Sequence, residues 1–359
     1  MRFIHTADLH IGARPDAARP WGPSREEAIR HSLERFVDLC NQEEIDLLLI
    51  AGDLFHFPPT QGMLKEADYQ FSRLKNTQVV LIAGNHDFLR PGSAYSEYSF
   101  PEHVHFLRGT LPQVLAFPAW GLDITGFSYE SEIRRDNPLA SYRPPRNGLR
   151  HFLLMHGGDR DHVPFSFADF KGAGWDYIAL GHIHKPSLNQ EGKAAMPGSP
   201  EALDRTETGV HGYYRGEMNS RGLSLDWRPF SRFSYTELKI NLTPETAQGS
   251  LETVLKKRMK TDMSEVYRLR LTGRRDPELF WSPDLLEALG PVCDVLDETR
   301  PDYAWEALEE RPPQDMVRRL IQSLKADEND PQAIIKEKAL YYALDALLAS
   351  EKKKREVLR

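Results

Sequence analysis

The sequence predicts an α/β protein in which two β-sheets share one core, followed by a small α/β domain and a helical tail. Three observations support this fold class. Apolar runs alternate with helical periodicity over the first 85 residues, short strands dominate from about 100 to 230, and a new α/β pattern begins after residue 231. Alternating strands and helices indicate a parallel sheet with crossover helices, whereas a run of strands indicates a second sheet.

The composition is that of a globular protein with more than one domain. The chain has 359 residues, of which 40% are hydrophobic, and this excludes a disordered or fibrous protein. Cys40 and Cys293 are the only cysteines, so we expect core residues and neither a disulfide framework nor a thiolate zinc site. The formal net charge of −7 argues against a protein coated with nucleic acid. Without a signal-peptide pattern or a membrane-spanning apolar run, the protein is expected to be cytoplasmic.

The amino-terminal segment predicts a βαβ unit. Arg2–Ala7 and Ile45–Ala51 have the apolar character of buried strands. Between them, Ser24 and Glu27 have the spacing of a capping box ahead of apolar residues at helical spacing. A second helix then leads into a strand at 79–83. Its predicted apolar face comprises Leu64, Ala67, Phe71 and Leu74.

The rest of the chain divides into a strand-rich part, a small α/β domain and a tail. The predicted strands of the first part are Val104–Leu107, Val114–Phe117, Asp123–Ser128, His151–Met155, Tyr177–Leu180, Gly209–Met218 and Leu223–Phe230. Motifs cease near residue 231, and a proline-containing boundary follows at 309–313. We therefore predict three parts, at 1–230, 231–308 and 309–359.

Five short segments, each at the end of an apolar run, carry side chains that bind metal ions. They are Asp8-Leu9-His10, Gly52-Asp53, Gly84-Asn85-His86-Asp87, His156-Gly157-Gly158 and Gly181-His182-Ile183-His184. Ligands of open α/β sheets bind outside the carboxyl ends of the strands, so the segments should converge on one edge. Asp, Asn and His without Cys suit manganese, iron or zinc better than calcium. A carboxylate such as Asp53 can bridge two ions, which predicts a binuclear, metal-dependent phosphoesterase.

The spacing within two segments predicts an extended backbone. His182 and His184 point the same way only if the segment is extended, and the same argument applies to Asp8 and His10. Any one of these histidines, taken alone, is as well explained by a structural role as by metal binding. Chance occurrence of all five segments together is much less plausible.

These residues resemble the calcineurin-like metallophosphoesterases and, within them, the SbcD type of double-strand-break repair nucleases. The resemblance runs from Met1 to about residue 230, and the motifs closest to the nuclease branch are His5-Thr6-Ala7-Asp8-Leu9-His10-Ile11-Gly12, Ala51-Gly52-Asp53-Leu54-Phe55-His56 and Pro197-Gly198-Ser199-Pro200. The family implies a four-layer αββα metallophosphoesterase sandwich, a small α/β capping domain after it, and two manganese ions. It further implies that one ion is held by Asp8, His10 and His184, the other by Asn85, His156 and His182, and both by Asp53.

Two further histidines are candidates for roles in catalysis and substrate binding. His86 directly follows a ligand and is our candidate for donating a proton to the leaving oxygen; the alternative is that it orients a neighbouring ligand. Protein phosphatases of the superfamily have an aspartate three residues after the bridging aspartate, whereas this chain has His56, as the nucleases do. His56 is predicted to contact a DNA phosphate, with packing against Phe55 and Phe57 as the alternative.

Three basic clusters are candidates for contacts with DNA phosphates, although most such side chains are simply solvated. The first is favoured because it follows the first ligand segment, and Arg14 is assigned to substrate binding. The clusters are Arg14, Arg19, Arg25 and Arg30; Lys256, Lys257, Arg258 and Lys260; and Arg268, Arg270, Arg274 and Arg275.

The tail predicts a partner-binding helix. Its apolar stripe comprises Ile334, Ile335, Leu340, Leu344, Leu347 and Leu348. In the resembled family, helices after the capping domain bind the coiled coil of an SMC-like ATPase of the SbcC type. Packing of the stripe onto its own domain is an equally good interpretation. The resemblance also implies a homodimer formed through a helical surface of the catalytic domain.

The function predicted from the sequence is that of a metal-dependent DNA exonuclease and endonuclease. It would act on DNA ends in double-strand-break repair by a two-metal mechanism. The first alternative is a calcineurin-like phosphodiesterase acting on cyclic nucleotides or other small phosphodiesters, which the segment His5–Gly12 and His56 disfavour. The second alternative is a non-catalytic DNA-end-binding protein, which is disfavoured because no metal ligand is missing.

Overall fold

The computed structural model describes residues 1–260, 264–279, 282–325 and 330–357. These residues form two compact units. The first comprises Met1–Tyr235 with Ser264 and Glu265, and the second comprises the remaining described residues from Thr236 onwards. The predicted division at residues 231 and 309 into three functional parts stays a prediction.

The first unit opens with alternating strands and helices, as predicted. Its first elements are β1 (Arg2–Thr6), α1 (Gly22–Arg30), α2 (Ser32–Glu43), β2 (Leu47–Ala51), α3 (Gln61–Ser72), β3 (Gln78–Ile82), α4 (Ala94–Glu97) and β4 (Val104–Phe106). β1 to β4 are parallel neighbours in this order. The residues that follow β1, β2 and β3 therefore meet at one edge of the sheet.

The helical segment between β1 and β2 differs from the prediction. Two helices separated by His31 replace a single helix, and α1 begins at Gly22 with Pro23 in its first turn and no side-chain cap. Proline suits the first turn because its missing N–H would have no partner there. Ser24 thus lies inside α1, and the predicted capping box with Glu27 is wrong.

The strands after residue 110 complete the first sheet and build a second one. They are β5 (Gln113–Phe117), β6 (Leu122–Gly126), β7 (Arg150–His156), β8 (Tyr177–Gly181), β9 (Ser187–Leu188), β10 (Ala194–Met196), β11 (Gly212–Asn219) and β12 (Gly222–Pro229). The first sheet has the order β12-β11-β1-β2-β3-β4 and the second β5-β6-β7-β8-β10-β9. β9 and β10 were not predicted, because strands of two or three residues are too short to show an alternation of apolar and polar residues.

The two sheets share one core, as predicted. Phe3, Leu49 and Val80 of the first sheet belong to the same buried cluster as Phe152 and Tyr177 of the second. The opposite face of the first sheet packs against α2 and α3. The opposite face of the second sheet packs against the segments that connect its strands. These layers agree with the predicted αββα sandwich.

The second unit contains a mixed sheet and a helical cluster. Its elements are β13 (Ser234–Leu242), which starts in the first unit, α5 (Gln248–Arg258), β14 (Glu265–Arg275), α6 (Pro283–Glu287), β15 (Val292–Asp297), β16 (Arg300–Pro301), α7 (Trp305–Glu309), α8 (Met316–Leu324) and α9 (Ala333–Val357). β14 lies between β13 and β15, and it also pairs with β16. Cys293, like Cys40 of the first unit, is buried. None of the described helices is long and apolar enough to cross a membrane.

The apolar stripe of the tail helix is divided between two environments. Leu340 and Leu344 are buried in a cluster with α7 and α8, which is the packing alternative considered above. In contrast, Ile334 and Ile335 are 71% and 67% exposed. The stripe is therefore not one continuous surface available to a partner. Residues 326–329 and 358–359 of the predicted tail lie outside the described residues.

We predict that His5 makes the stability of the metal-free protein depend on pH. His5 is buried in β1, where Nε2–H donates to the carbonyl oxygen of Leu180 at 3.0 Å and Nδ1 accepts from Tyr177 Oη at 2.7 Å. Burial lowers its pKa from 6.5 to about 3. The unfolded chain therefore binds a proton that the folded chain does not as the pH falls from 6.5 towards 3, and stability decreases by up to about 1.4 kcal/mol per pH unit.

The measurement is urea unfolding of the wild type and of His5→Gln in EDTA at pH 6.5 and 4.5. The variant is expected to be less stable at pH 6.5 but to lose about 2 kcal/mol less on acidification. An equal loss in both proteins would contradict the assignment of this pH dependence to His5.

Candidate metal centre

The ends of five strands place the predicted ligands around one point in the first unit. Asp8 and Asp53 follow β1 and β2, Asn85 follows β3, His156 ends β7, and His182 follows β8. Asp8, Asp53 and His156 are at most 1% exposed, and Asn85 is 5% exposed. Both sheets therefore contribute ligands to one buried site.

One group of donor atoms comes from the first and last segments. Nε2 of His10 lies 3.1 Å from Nε2 of His184, although the two residues are 174 positions apart. Asp8 lies within the same cluster, with Oδ1 4.0 Å from Nε2 of His10. These three side chains are those expected to hold one ion.

A second group forms around Asn85, whose Oδ1 lies 2.9 Å from Nε2 of His156 and 3.0 Å from Nδ1 of His182. Asp53 lies between the two groups. Its Oδ2 is 3.3 Å from Nε2 of His156 and 3.7 Å from Nε2 of His10. The structure thus brings all seven predicted ligands together, and the assignment of each ligand to a particular ion stays a prediction.

The spacing of the donor atoms fits divalent metal ions. Two ligands that bind one ion at about 2.1 Å and at right angles are about 3 Å apart, close to the distances around Asn85 and between His10 and His184. Nitrogen and oxygen donors without sulfur suit manganese, zinc or iron. The buried carboxylates of Asp8 and Asp53 would also be costly without cations. The residues therefore fit a binuclear site.

The charges of the site favour cations further. Burial raises the pKa of the Asp8 carboxyl to about 6. Burial acts in the same direction on Asp53, but the neighbouring His156, His10 and His86 outweigh it and keep the pKa of Asp53 well below its usual range. Asp53 is therefore an anion in a buried site, where a bound cation is attracted most strongly.

The backbone at the ligands is not extended, so the predicted extended segments at Asp8–His10 and His182–His184 are wrong in this respect. Asp8, His10, Asp53 and His182 all have positive φ, at 56°, 47°, 51° and 99°. Such conformations cost of order 1–3 kcal/mol each in side-chain-bearing residues. They persist because neighbouring loops lock one another, as when the backbone N–H of His10 donates to the carbonyl oxygen of Asp53 at 3.0 Å.

Gly84 allows the third ligand segment to pass over Asp53. A Cβ atom at residue 84 would lie 2.2 Å from Oδ1 of Asp53. Real Cβ atoms do not approach that closely, so only glycine permits this crossing. Asn85 and His86 reach the site because of it.

His86 lies at the site, and only one of its two ring nitrogens is engaged by a backbone carbonyl group. Its Nδ1–H donates to the carbonyl oxygen of His56 at 3.1 Å, and its backbone N–H donates to Oδ1 of Asp53 at 2.9 Å. The ring is 4.7 Å from that of His10, measured between centroids. Nε2 therefore remains for proton exchange, which agrees with the expected geometry of a general acid.

His56 contacts the centre rather than only its phenylalanine neighbours. Its Nδ1 lies 3.3 Å from Nδ1 of His10, and its ring stacks on that of His86 at 5.1 Å. It is half-buried, so part of the ring faces solvent. This position is compatible with contact to a substrate phosphate, and the role stays a prediction.

Two carboxylates at the site were missed by the sequence analysis. Oδ2 of Asp159 lies 2.8 Å from Nε2 of His182, and Oε1 of Glu207 lies 2.7 Å from Nδ1 of His184. Each accepts the N–H of the ring nitrogen that faces away from the ligand group, which fixes the tautomer and the ring orientation. The only signal for Asp159 was its place three residues after His156, and Glu207 had none.

We predict that these two carboxylates support different metal ions. Asp159→Ala should weaken binding of the ion held by His182, and Glu207→Ala that of the ion held by His184, by about ten- to a hundredfold each. Manganese titration by calorimetry measures the two affinities. The control is Asp161→Ala, an exposed carboxylate that pairs with Arg135 at 2.7 Å. Equal weakening of both ions by either variant would contradict the prediction.

The basic clusters are less available than the sequence suggested. Arg14 is exposed and pairs with Glu26 at 3.0 Å. Arg25 is 2% exposed and packs over the ring of Tyr235 at 4.4 Å, so its predicted contact with DNA is wrong. The charge of Arg25 requires polar and aromatic partners in the core, which its sequence position does not reveal.

The clusters of the second unit differ from each other. Lys256, Lys257 and Arg258 are exposed on α5. The third cluster faces carboxylates of its own unit: Arg268 with Asp294, Arg270 with Glu237 and Glu298, Arg274 with Asp302, and Arg275 with Asp345. Because these acids neutralise it locally, the third cluster is a poor candidate for binding phosphates.

The sequence of this chain is similar to those of known metallophosphoesterases. The profile of the calcineurin-like phosphoesterase family matches residues 1–186. The chain is 30% identical over 319 residues to a Bacillus subtilis protein described as uncharacterized metallophosphoesterase YhaO, covering 80% of this chain and 77% of that protein.

Two further relatives carry more specific descriptions. The DNA double-strand break repair protein Mre11 of Methanopyrus kandleri is 31% identical over 62% of this chain and 55% of its own length. A protein of Bacillus subtilis that forms part of the nuclease SbcCD is 24% identical over 58% of this chain and 64% of its own length. The alignments thus span less than two thirds of the length of each of these two relatives. The matched family profile and the 30% identity to the Bacillus subtilis metallophosphoesterase show that the chain belongs to the calcineurin-like phosphoesterase family.

Proposed function

We propose that this phosphoesterase is a metal-dependent DNA nuclease that hydrolyses phosphodiester bonds at DNA ends in double-strand-break repair, as both exonuclease and endonuclease. The observation that carries the proposal is His56, which contacts His10 and stacks on His86 where protein phosphatases have an aspartate. An imidazole at this place can donate a hydrogen bond to a diester phosphate, which an ionised carboxylate cannot do. The descriptions of the Mre11 and SbcCD relatives support DNA as the substrate.

The ligand set would hold two divalent ions, and we propose manganese. When bound, such ions polarise the phosphoester and lower the pKa of water, which supplies a nucleophile at neutral pH. Asp53 reaches both ligand groups and so fixes their separation. Asp8 and the histidines set the orientation of the scissile phosphate relative to His86.

His86 completes the reaction as the general acid. Its Nδ1–H is held by the carbonyl oxygen of His56, so the proton that passes to the leaving oxygen would be a second one, carried on Nε2 by the imidazolium form of the ring. A positioned acid of this kind contributes about a hundred- to ten-thousandfold in rate. His56 and Arg14 belong to the same proposal as contacts to the DNA backbone near the scissile bond.

The partners and the setting are also part of the proposal. An SMC-like ATPase of the SbcC type would bind the C-terminal helices through apolar residues that remain exposed on α9, namely Ile334, Ile335 and Tyr342. Ile335 and Tyr342 are seven residues apart and share one face of the helix. A homodimer and a cytoplasmic location complete the proposed setting.

The test is digestion of end-labelled double-stranded DNA by the purified protein with manganese or EDTA. Shortened products should appear with manganese only and be absent for Asp53→Asn, and the position of the label gives the polarity of digestion. Hydrolysis of cyclic nucleotides or small phosphodiesters without cleavage of DNA would favour the first alternative. Binding of DNA ends without hydrolysis of any diester would favour the non-catalytic alternative.

A further inference from the structure

A cavity of about 580 Å³ lies in the first unit beside the ligand loops. It is lined by residues of α1, α2 and α3 and by the loops that follow β1 and β2. Its volume is within the range of small-molecule sites, about 300–1,000 Å³. None of the roles assigned above to ligands or to the general acid uses this cavity.

One part of the cavity wall is apolar and includes an exposed aromatic ring. Ile11, Leu33, Met63 and Phe57 line it, and Phe57 is 42% exposed. Gly12, with φ of +101°, leaves room for this ring, since a Cβ atom there would lie 3.1 Å from Cζ of Phe57. An exposed phenylalanine at a concave apolar wall is suited to stack on a flat ring.

A chain of ring contacts connects the cavity to the metal centre. The ring of His56 is 5.3 Å from that of the ligand His10, and the ring of Phe57 is 6.3 Å from that of His56. Ile11 directly follows His10 in the chain. The cavity wall at Ile11 and Phe57 therefore adjoins residues that contact or belong to the ligand group.

The polar groups of the cavity lie on its helical side and in the loop after β1. The polar residues of the lining are Arg14, Glu26, Arg30, Glu66 and Gln70. The Arg14 pair with Glu26 is exposed, and such pairs contribute little, so the guanidinium can turn towards an anion. An aromatic wall next to guanidinium groups matches a base joined to a phosphate backbone.

We propose that this cavity binds the nucleobase next to the scissile phosphate, with the base stacked on Phe57 and the adjoining backbone phosphate near Arg14. The proposal rests on the proposed function, because it takes the substrate to be a nucleotide chain. The cavity would make the protein prefer nucleotide esters to phosphodiesters that lack a base. It would not select among the bases, since every base has a face that can stack on Phe57.

The test compares two esters with the same leaving group, thymidine 5′-(p-nitrophenyl phosphate) and methyl p-nitrophenyl phosphate, in the manganese-loaded full chain. Phe57→Ala should lower kcat/KM for the thymidine ester about tenfold and leave the methyl ester unchanged. Phe57→Tyr should retain the wild-type preference for the thymidine ester. The matched control is Tyr69→Ala, which removes an aromatic ring on α3 that is 59% exposed and outside the cavity lining.

A binding measurement keeps this test separate from catalysis. Fluorescence of Phe57→Trp, corrected for that of the wild type, should be quenched by thymidine 5′-monophosphate more than by methyl phosphate. Equal losses for both esters in Phe57→Ala, or no loss together with no selective quenching, would overturn the cavity proposal. If the wild type hydrolyses neither ester and does not cleave DNA, with selective quenching retained, the proposed function is overturned and nucleotide binding in the cavity stands.

Discussion

Asp53→Asn is expected to lower manganese-dependent hydrolysis of phosphodiesters at least about a thousandfold. The reason is that Oδ2 of Asp53 is close to both Nε2 of His156 and Nε2 of His10, so one carboxylate serves both ligand groups. Asparagine keeps the shape and can still accept the backbone N–H of His86. It lacks the charge that holds two cations together.

Metal binding can be measured without relying on activity. Manganese at a hundred times its dissociation constant should stabilise the wild type by about 2.7 kcal/mol for each site, seen as a higher Tm. Asp53→Asn should lose most of this stabilisation while remaining folded in EDTA. The control is Asp161→Asn, which changes an exposed carboxylate. If Asp53→Asn kept both metal sites and normal activity, Asp53 could not be the bridge.

His86→Gln is expected to reduce kcat for DNA about a hundred- to ten-thousandfold with manganese affinity unchanged. The ring reaches the site through Nε2, because Nδ1–H is engaged with the carbonyl oxygen of His56. Glutamine can occupy the same space but cannot deliver a proton. The loss of kcat should therefore be larger for a substrate whose leaving oxygen must be protonated than for one whose leaving group departs as an anion.

The leaving group separates the two roles considered for His86. A p-nitrophenolate leaves without protonation, so hydrolysis of methyl p-nitrophenyl phosphate should be much less affected than cleavage of DNA. If His86 only orients a neighbouring ligand, both substrates should suffer equally and manganese should bind more weakly. His105→Gln, at a histidine that contacts Gln78 at 2.8 Å away from the centre, is the control.

Much of the fold and the ligand set could be predicted because they depend on local patterns. The strand β2 and the helix α3 show their period within a few residues, and Asp8, Asp53 and Asn85 stand where parallel strands end. The carboxyl ends of parallel strands share an edge, so convergence of these side chains follows from strand order. No knowledge of loop conformation is needed for that step.

The errors arose where contacts depend on backbone details or on distant partners. Pro23 moved the start of α1 ahead of Ser24, and positive φ at His182 replaced the extended segment. Arg25 is buried under aromatic rings, and four of the six residues of the tail stripe pack on helices of their own unit. None of these features can be predicted from the periodicity of hydrophobic residues, since each depends on which side chains are in contact in the folded chain.

The sequence by itself determined the fold class, the family and the seven predicted ligands that converge in the structure, because these follow from strand periodicity and from motifs at strand ends. Only the tertiary structure decided that Asp159 and Glu207 orient two of those ligands and that Phe57 lines a cavity beside the centre. The physical reason is that hydrogen bonds and cavities depend on the positions of loops to within about an ångström. The pattern of hydrophobic residues in the sequence does not determine loop positions with that precision.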